Sequence, residues 1–307
     1  MGMQATSFYD VVVVGHFALD VIIREGELIG GAPGGPPTYA SLAASSLGAK
    51  VSVISKVGDD FPEDHVKFLS DNGIDLSGLK VVKDASTTNY VLSYEDGERK
   101  LLLKARAPDI TVEDIPEGLA ARAVLMAPIA GEISSPVVSE LRRRAEYLCL
   151  DPQGFVRKFL EDGTVVLTNW FNRHILSSTD ILKASVREYE CIMGKGRLRY
   201  GLSKLHQLGI SIVVITLGEE GSIVSVRNRL FAVPAYPVKM VEPTGAGDAY
   251  IGAFLAEYVR GEDPVWCACV GSAAASFVVE EFGPRKLGNR QEILRRAQDI
   301  YEGVVEV

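Results

Sequence analysis

Residues 242–254 read Glu-Pro-Thr-Gly-Ala-Gly-Asp-Ala-Tyr-Ile-Gly-Ala-Phe. The stretch from 249 to 259 is apolar on nearly every side, which predicts a helix buried inside a large domain. The glycine-rich turn would lie at the N-terminus of that helix, where free N–H groups and the positive end of the helix dipole favour a phosphate. Asp248 is a carboxylate placed where an anion should bind. It therefore predicts a group that handles a proton or a metal, the alternative being a plain capping acid.

Two common phosphate-binding motifs do not describe this turn. A P-loop would continue with Gly-Lys-Ser/Thr, and no such sequence follows. The dinucleotide fingerprint would place its third glycine three residues after the second, whereas here the next glycine is Gly252.

Composition limits the classes of function. The chain has 307 residues and 47% hydrophobic residues, enough to fill a large core. Its net charge of −8 makes a nucleic-acid partner unlikely on electrostatic grounds. Its longest apolar runs are too short or too interrupted to span a bilayer, so we expect no membrane partner. The four scattered cysteines predict reduced thiols and a cytoplasmic protein.

Strands and helices alternate along most of the chain. The apolar segments Val11–Val14, Lys50–Lys56, Ala123–Ala127 and Ile210–Ile215 read as strands, and helical segments separate them. This alternation of strands and helices predicts an α/β fold with a mostly parallel central sheet. We found no linker or repeat, and therefore expect a single domain over residues 1–307.

The alternation of strands and helices is interrupted at residues 86–104, where two strand-like segments flank an Asp-Gly pair that suits a hairpin turn. A hairpin has no place in the main parallel sheet, so we expect it, with a segment at about 20–33, to form a small separate β-sheet. Such a sheet could be a lid over a site or, through its exposed strand edges, the interface of a homodimer.

Several polar or glycine-rich segments follow strands, where open α/β sheets place their ligands. Asp20 is either a structural acid or a ligand for hydroxyl groups, and Gly34 and Gly35 permit a ligand to approach the backbone. Gln153 and Arg157, four residues apart, could face one way if their segment is helical, the alternative being a solvated loop. A further strand ends at Thr216, before Gly218 and Gly221, in a turn along which a nucleotide phosphate could lie.

Taken in order, the paired glycines, the Gly218–Gly221 turn and the Thr-Gly-Ala-Gly-Asp stretch resemble the ribokinase-like (PfkB) carbohydrate kinases. The resemblance covers about Val11 to Glu281. It implies a three-layer sandwich with a small β lid and Mg²⁺-assisted transfer of the γ-phosphoryl group of ATP to a hydroxyl group; a monovalent cation such as K⁺ is a further candidate cofactor. By this resemblance Asp248 is the catalytic base and Gly245, Ala246 and Gly247 form the anion hole. The resemblance assigns the nucleotide to Thr216, Gly218, Gly221 and Thr244, and the sugar to Asp20, Gly34 and Gly35.

Two positions depart from the family pattern. Tyr39 stands where the family usually has Asn at the sugar, and the family's Asn-x-x-Glu reads Ser185-Val186-Arg187-Glu188, which keeps only Glu188 for an indirect role at Mg²⁺. With the Asp151–Arg157 segment, these departures most resemble the archaeal myo-inositol kinase branch. In that branch Gln153 and Arg157 would serve the polyol, so myo-inositol is the predicted substrate.

Three alternatives stay open at this point. A nucleoside kinase shares the same motif order, and a sugar kinase of the ribokinase or fructokinase type belongs to the same family. A nucleobase would need a flat apolar or aromatic slot, whereas a polyol needs convergent hydrogen-bonding groups. A catalytically silent sugar- or nucleotide-binding protein could keep the fold, but it would have no use for Asp248 beside an anion hole.

Overall fold

The computed structural model describes residues 7–95, 98–196, 198–285 and 287–307. Its strands in chain order are β1 (Ser7–Val14), β2 (Ala18–Arg24), β3 (Glu27–Gly34), β4 (Val51–Gly58), β5 (Ile74–Val82), β6 (Thr88–Glu95), β7 (Glu98–Ala105), β8 (Leu119–Met126), β9 (Ala145–Leu150), β10 (Arg157–Phe159), β11 (Val165–Leu167), β12 (Ile181–Ser185), β13 (Ile212–Thr216), β14 (Ser222–Val226), β15 (Arg229–Val233) and β16 (Val305–Glu306). Its helices are α1 (Pro36–Ser46), α2 (Glu63–Asp71), α3 (Ser135–Arg144), α4 (Arg173–Ser177), α5 (Val186–Met193), α6 (Leu198–Gln207), α7 (Ala246–Tyr258), α8 (Pro264–Val278) and α9 (Arg290–Tyr301).

The large sheet has the strand order β16-β15-β14-β13-β12-β9-β8-β1-β4-β5 within the described residues. All pairs from β13 to β5 are parallel, and the β14, β15 and β16 edge is antiparallel. The predicted α/β fold with a mostly parallel sheet is confirmed. The edge strands β5, of nine residues, and β16, of two residues, were not predicted, because neither contains an uninterrupted apolar run.

Helices cover both faces of this sheet. Val11 and Val13 of β1 pack into one core with α1, α7, α8 and α9, whereas Val12 and Val14 pack into the opposite core with α3, α5 and α6. All four side chains are fully buried. The run of valines therefore reflects a strand that is covered on both sides, as parallel sheets require.

The small sheet has the order β3-β2-β6-β7 within the described residues, with β2 parallel to β6. It confirms that the 86–104 hairpin lies outside the main sheet and pairs with the earlier segment near residues 20–33. The Asp96–Gly97 turn lies outside the described residues. Strand β3 forms an edge with Leu28 and Ile29 exposed, and the homodimer through this sheet stays a prediction.

Helix α7 is the buried helix that follows the glycine turn. Residues 248–257 are all buried, as the apolar sequence predicts. Gly252 lets α7 approach α1 closely, since a Cβ there would lie 2.1 Å from the carbonyl oxygen of Ala40. Gly252, where the sequence departs from the dinucleotide fingerprint, therefore serves the packing of α7 against α1.

None of the helices among the described residues has the length and apolarity needed to cross a membrane. The four cysteines are free thiols.

Candidate active site

The Thr-Gly-Ala-Gly-Asp turn starts α7. Gly245 is the N-cap residue and has φ +84°, a left-handed conformation that glycine adopts without strain. Its own Cα faces the ring of Tyr39, because a Cβ on Gly245 would lie 2.4 Å from three ring atoms. The N–H of Ala246 donates to the carbonyl oxygen of Pro243 at 3.2 Å, whereas the N–H groups of Gly245 and Gly247 have no backbone partner among the described residues and are available to an anion.

A cavity of about 860 Å³ opens at this turn, between the large sheet and the small sheet. It is large enough for two small molecules placed end to end. The predicted site residues that line it are Asp20, Gly35, Gln153, Arg157, Glu188, Thr216, Gly218, Gly221, Thr244, Gly245, Ala246, Gly247 and Asp248. Residues more than 200 positions apart in the chain thus share one cavity.

Gly34 and Tyr39, which were predicted as substrate contacts, do not line the cavity. Tyr39 is 2% exposed and packs beneath the Gly245 turn. Gly34 lies against Asp20, whose Oδ2 atom would be 2.5 Å from an added Cβ. Burial, and then the charges of Asp20, Asp248 and Glu242, raise the pKa of the Tyr39 phenol. Tyr39 therefore supports the turn and stays neutral.

Asp248 forms part of a buried network of polar side chains. Gln153 donates from Nε2 to Oδ1 of Asp248 at 2.7 Å and to Oδ2 of Asp151 at 3.3 Å. Lys183 forms an ion pair with Asp151 of 2.7 Å between Nζ and Oδ2. Oδ1 of Asp151 has no hydrogen-bond partner among the described residues.

This environment changes the acidity of Asp248. Burial, and then the nearby negative charge of Asp151, raise the pKa of Asp248 to about 7. Lys183 and the hydrogen bond from Gln153 act in the opposite direction but do not cancel the effect. A carboxylate with a pKa near neutrality can exchange a proton with a substrate under ordinary conditions.

Sequence reasoning missed Lys183. It lies on β12 and is 4% exposed, and its Nζ atom would be 2.8 Å from a Cβ on Gly247. Burial lowers the pKa of Lys183, but the charges of Asp151, Glu188 and Asp248 outweigh burial and raise it. The lysine therefore stays cationic directly behind the anion hole. The sequence feature that could have identified Lys183 is its position inside the otherwise apolar strand Ile181–Ser185.

Gln153 and Arg157 do not share a helix, so the helical arrangement considered from the sequence does not occur. The chain turns at 153–155, and Arg157 begins β10. The two side chains nevertheless meet, because Arg157 donates from Nη2 to Oε1 of Gln153 at 3.1 Å. Arg157 also donates to the carbonyl oxygen of Ile129 at 2.9 Å. Both side chains are thus engaged within the protein.

The end of the cavity beneath the small sheet has an apolar wall and one acid. Tyr90 and Leu92 come from β6 and Leu101 from β7, and Asp20 comes from β2. The Tyr90 hydroxyl donates to the carbonyl oxygen of Ile129 at 2.6 Å. The phenol's polar end is therefore occupied, and the ring contributes mainly apolar surface.

The opposite end of the cavity lies along the β13 turn and α8. Gly218 and Gly221 both have positive φ, +65° and +94°. A Cβ on Gly221 would lie 2.1 Å from the carbonyl oxygen of Val233, so this turn requires glycine. Beyond it, the cavity wall is apolar, formed by Ala235, Val238, Ala275 and Val279.

Glu188 also lines the cavity, as does Glu219 of this turn. It closes a capping box at the start of α5, where its Oε2 atom accepts from the N–H of Ser185 at 2.7 Å. The described residues contain no cluster of three His, Cys, Asp or Glu side chains suited to a metal ion. Mg²⁺ commonly keeps several waters and is held by one or two carboxylates together with substrate phosphates. Glu188, which lines the cavity, fits that limited role.

Residues 9–290 match the pfkB family of carbohydrate kinases. This chain belongs to that family. The kinase activity and the ribokinase-like fold expected from the sequence are thereby confirmed. A cytidine kinase of Thermococcus kodakarensis is 31% identical over 284 residues, which are 89% of this chain and 97% of the relative. A nucleoside kinase of Methanothermobacter thermautotrophicus is 29% identical, over 89% of this chain and 90% of the relative.

Among solved structures, this PfkB kinase is similar to a pyrophosphate-dependent kinase of the ribokinase family, complexed with a pyrophosphate analogue and myo-inositol. The TM-score is 0.78 and the identity 27%, over 92% of this chain and 98% of that chain. Sugar or nucleoside phosphorylation is therefore the function of the family, and the names of these relatives differ in the acceptor.

Proposed function

We propose that this PfkB kinase transfers the γ-phosphoryl group of ATP to a hydroxyl group of a nucleoside. The observation that carries the choice of acceptor is the wall of Tyr90, Leu92 and Leu101 beside Asp20, which pairs with Tyr90 in the small sheet. An apolar surface that includes an aromatic ring suits a nucleobase, and a carboxylate suits the hydroxyl groups of a ribose. The nucleoside and cytidine kinases among the relatives support the same class.

The chemistry follows from the placement of Asp248 beside the α7 N-terminus. The acceptor oxygen forms a bond to the γ-phosphorus while the bond to the leaving oxygen of ADP breaks. Asp248 takes the proton of the acceptor hydroxyl, a task for which a pKa of about 7 is well matched. ADP leaves with the electron pair of the broken bond.

Positive charge and N–H groups would stabilise the moving phosphoryl group. The N–H groups of Gly245 and Gly247 would bind the anion, with Ala246 between them, and Lys183 adds a full charge behind Gly247. Such preorganised groups need no rearrangement during the reaction. When bound, Mg²⁺ would neutralise charge on the donor phosphates, with Glu188 holding it through water.

The lining of the cavity supports ATP as the donor. Pyrophosphate would occupy only the region near the α7 turn. The apolar extension formed by Ala235, Val238, Ala275 and Val279 suits the base of a nucleotide. ATP is therefore the expected donor, although three of the similar solved structures are of pyrophosphate-dependent kinases.

A cyclic polyol such as myo-inositol is the second candidate acceptor. Gln153 and Arg157 line the cavity, and the structural neighbour just described binds myo-inositol. Their side chains, however, already bond to Asp248, to Ile129 and to each other. This leaves fewer polar groups for the six hydroxyls of inositol than the sequence suggested.

The test is phosphoryl transfer measured by direct detection of the phosphorylated acceptor. The acceptors are cytidine, adenosine, guanosine, myo-inositol, ribose and fructose, each with ATP or pyrophosphate and Mg²⁺. We expect the highest kcat/KM with a nucleoside and ATP. Preference for myo-inositol would overturn the acceptor assignment, and preference for pyrophosphate would overturn the donor assignment.

A further inference from the structure

Glu242 lies between the small sheet and the anion-hole turn. It precedes Gly245 by three residues and is 3% exposed. The backbone around it is anchored to the end of α8, since the N–H groups of Val241 and Glu242 donate to the carbonyl oxygen of Val279 at 2.7 and 3.3 Å. The carboxylate is thus held in a fixed place beside α7.

One side of this carboxylate contacts the residue that leads into the anion hole. Oε1 of Glu242 accepts from the hydroxyl of Thr244 at 2.7 Å and from its N–H at 3.3 Å. Thr244 lines the cavity and directly precedes the left-handed Gly245. The Glu242 carboxylate therefore sets the course of the backbone where the anion hole begins.

The other side contacts the small sheet. Tyr94 donates from its hydroxyl to the same Oε1 atom at 3.1 Å, and Arg24 approaches Oε2 at 3.5 Å. Arg24 and Tyr94 are paired neighbours on β2 and β6, with the guanidinium 5.6 Å from the centre of the Tyr94 ring. Arg24 is 46% exposed, so its ion pair is weak, and Tyr94 makes the stronger link.

A single buried oxygen atom therefore joins a strand over the acceptor region to the turn that would hold the donor phosphate. We infer that Glu242 is a positioning residue that couples the placement of the small sheet to the orientation of the Gly245–Asp248 turn. The coupling rests on the proposed phosphoryl transfer. Through it, an acceptor seated under β6 holds the anion-hole N–H groups in the orientation that phosphoryl transfer requires.

The test uses Tyr94→Phe, which removes only the hydroxyl that reaches Glu242. Tyr200→Phe is the matched control, because Tyr200 is exposed on α6, away from the cavity. In Tyr94→Phe we expect kcat for acceptor phosphorylation to fall about tenfold, the scale of one hydrogen bond to a charged group, with little change in the KM for ATP. ATP hydrolysis without acceptor should change less than acceptor phosphorylation.

A second measurement does not depend on activity. Amide hydrogen exchange over residues 243–249 should be faster in Tyr94→Phe than in wild type or Tyr200→Phe. Tyr94→Phe and Thr244→Val should also be non-additive in kcat, because both bond to one oxygen atom. Unchanged exchange together with additive effects would overturn the coupling. If the wild-type protein transferred no phosphoryl group to any acceptor, the proposed function would be wrong. The hydrogen-exchange result would still decide whether Glu242 couples the small sheet to the turn.

Discussion

Gln153 and Asp248, 95 residues apart in sequence, are joined by a 2.7 Å hydrogen bond from Nε2 to Oδ1. Because Arg157 holds Oε1 of the same amide, the NH₂ group of Gln153 must face the carboxylate. The bond occupies Oδ1 and orients the carboxyl plane. Oδ2 is therefore the oxygen that we expect to accept the proton of the substrate hydroxyl.

Replacing Asp248 by Asn should lower kcat by at least ~10²-fold, the usual scale for loss of a general base. In the wild-type enzyme, kcat/KM should rise with pH through about 7, since Asp248 must be ionised to accept the proton. Initial rates from pH 5.5 to 9 measure this. A folded Asp248→Asn enzyme with near-normal activity, or a flat wild-type profile, would contradict the assignment.

The same variant should change how stability depends on pH. The folded-state pKa of Asp248 is raised from 3.8 to about 7, so the folded protein holds this proton more tightly than the unfolded chain does. The stabilising effect of the protonated group is complete below pH 3.8 and is lost as pH rises to about 7. We expect Asp248→Asn to melt at a higher temperature than wild type at pH 8. The difference should shrink at pH 5, and calorimetry at both values checks it.

Variants of the Lys183–Asp151 pair distinguish an effect on stability from an effect on catalysis. Lys183→Met leaves Asp151 as a buried unpaired charge, which should cost about 3–5 kcal/mol of unfolding free energy. Adding Asp151→Asn removes that charge and should restore most of the stability. The double variant should still lose at least ~10²-fold in kcat, because the positive charge behind the anion hole is gone.

Denaturant unfolding and steady-state kinetics on the two single variants and the double variant decide this point. An active double variant would mean that Lys183 only balances Asp151. Failure of the double variant to regain stability would mean that the pair has a further structural role.

Gly245→Ala should destabilise the fold more than the same change at another left-handed glycine. At Gly245 the new Cβ would meet the Tyr39 ring at 2.4 Å. We expect a cost of about 1–2 kcal/mol from the backbone conformation and about 1–3 kcal/mol from displacing the ring. Gly261→Ala is the control, since φ is +92° and nothing lies within 4 Å of its added Cβ. Equal losses of unfolding free energy would contradict the packing role of Tyr39.

Two variants of Tyr90 test the nucleobase wall. Tyr90→Leu removes the ring, whereas Tyr90→Phe keeps the ring and loses only the hydroxyl bonded to Ile129. Stacking of a base on an aromatic ring is worth about 1–3 kcal/mol, so the KM for a nucleoside should rise at least ~5-fold in Tyr90→Leu. The KM for ATP should stay unchanged in both. A similar rise in both variants would assign the effect to the hydroxyl.

The sequence alone determined the alternation of the central strands with helices, the separate small sheet and the family. These features are local, since periodicity, glycine turns and the Thr-Gly-Ala-Gly-Asp motif are properties of neighbouring residues. It also placed Asp248 beside an anion-binding turn. Thirteen of the fifteen predicted site residues line one cavity, and Gly34 and Tyr39 do not.

Only the tertiary structure decided which side chains meet. It brought Lys183 and Asp151 together from adjacent strands β12 and β9 and set them behind the anion hole. It also placed Tyr39 outside the cavity, because the Tyr39 ring packs against Gly245. These two residues are far apart in the chain. The raised pKa of Asp248 likewise arises from burial and from Asp151, a neighbour in space and not in sequence. A single sequence carries no record of such long-range contacts, and they determine the charge, burial and reach of the site.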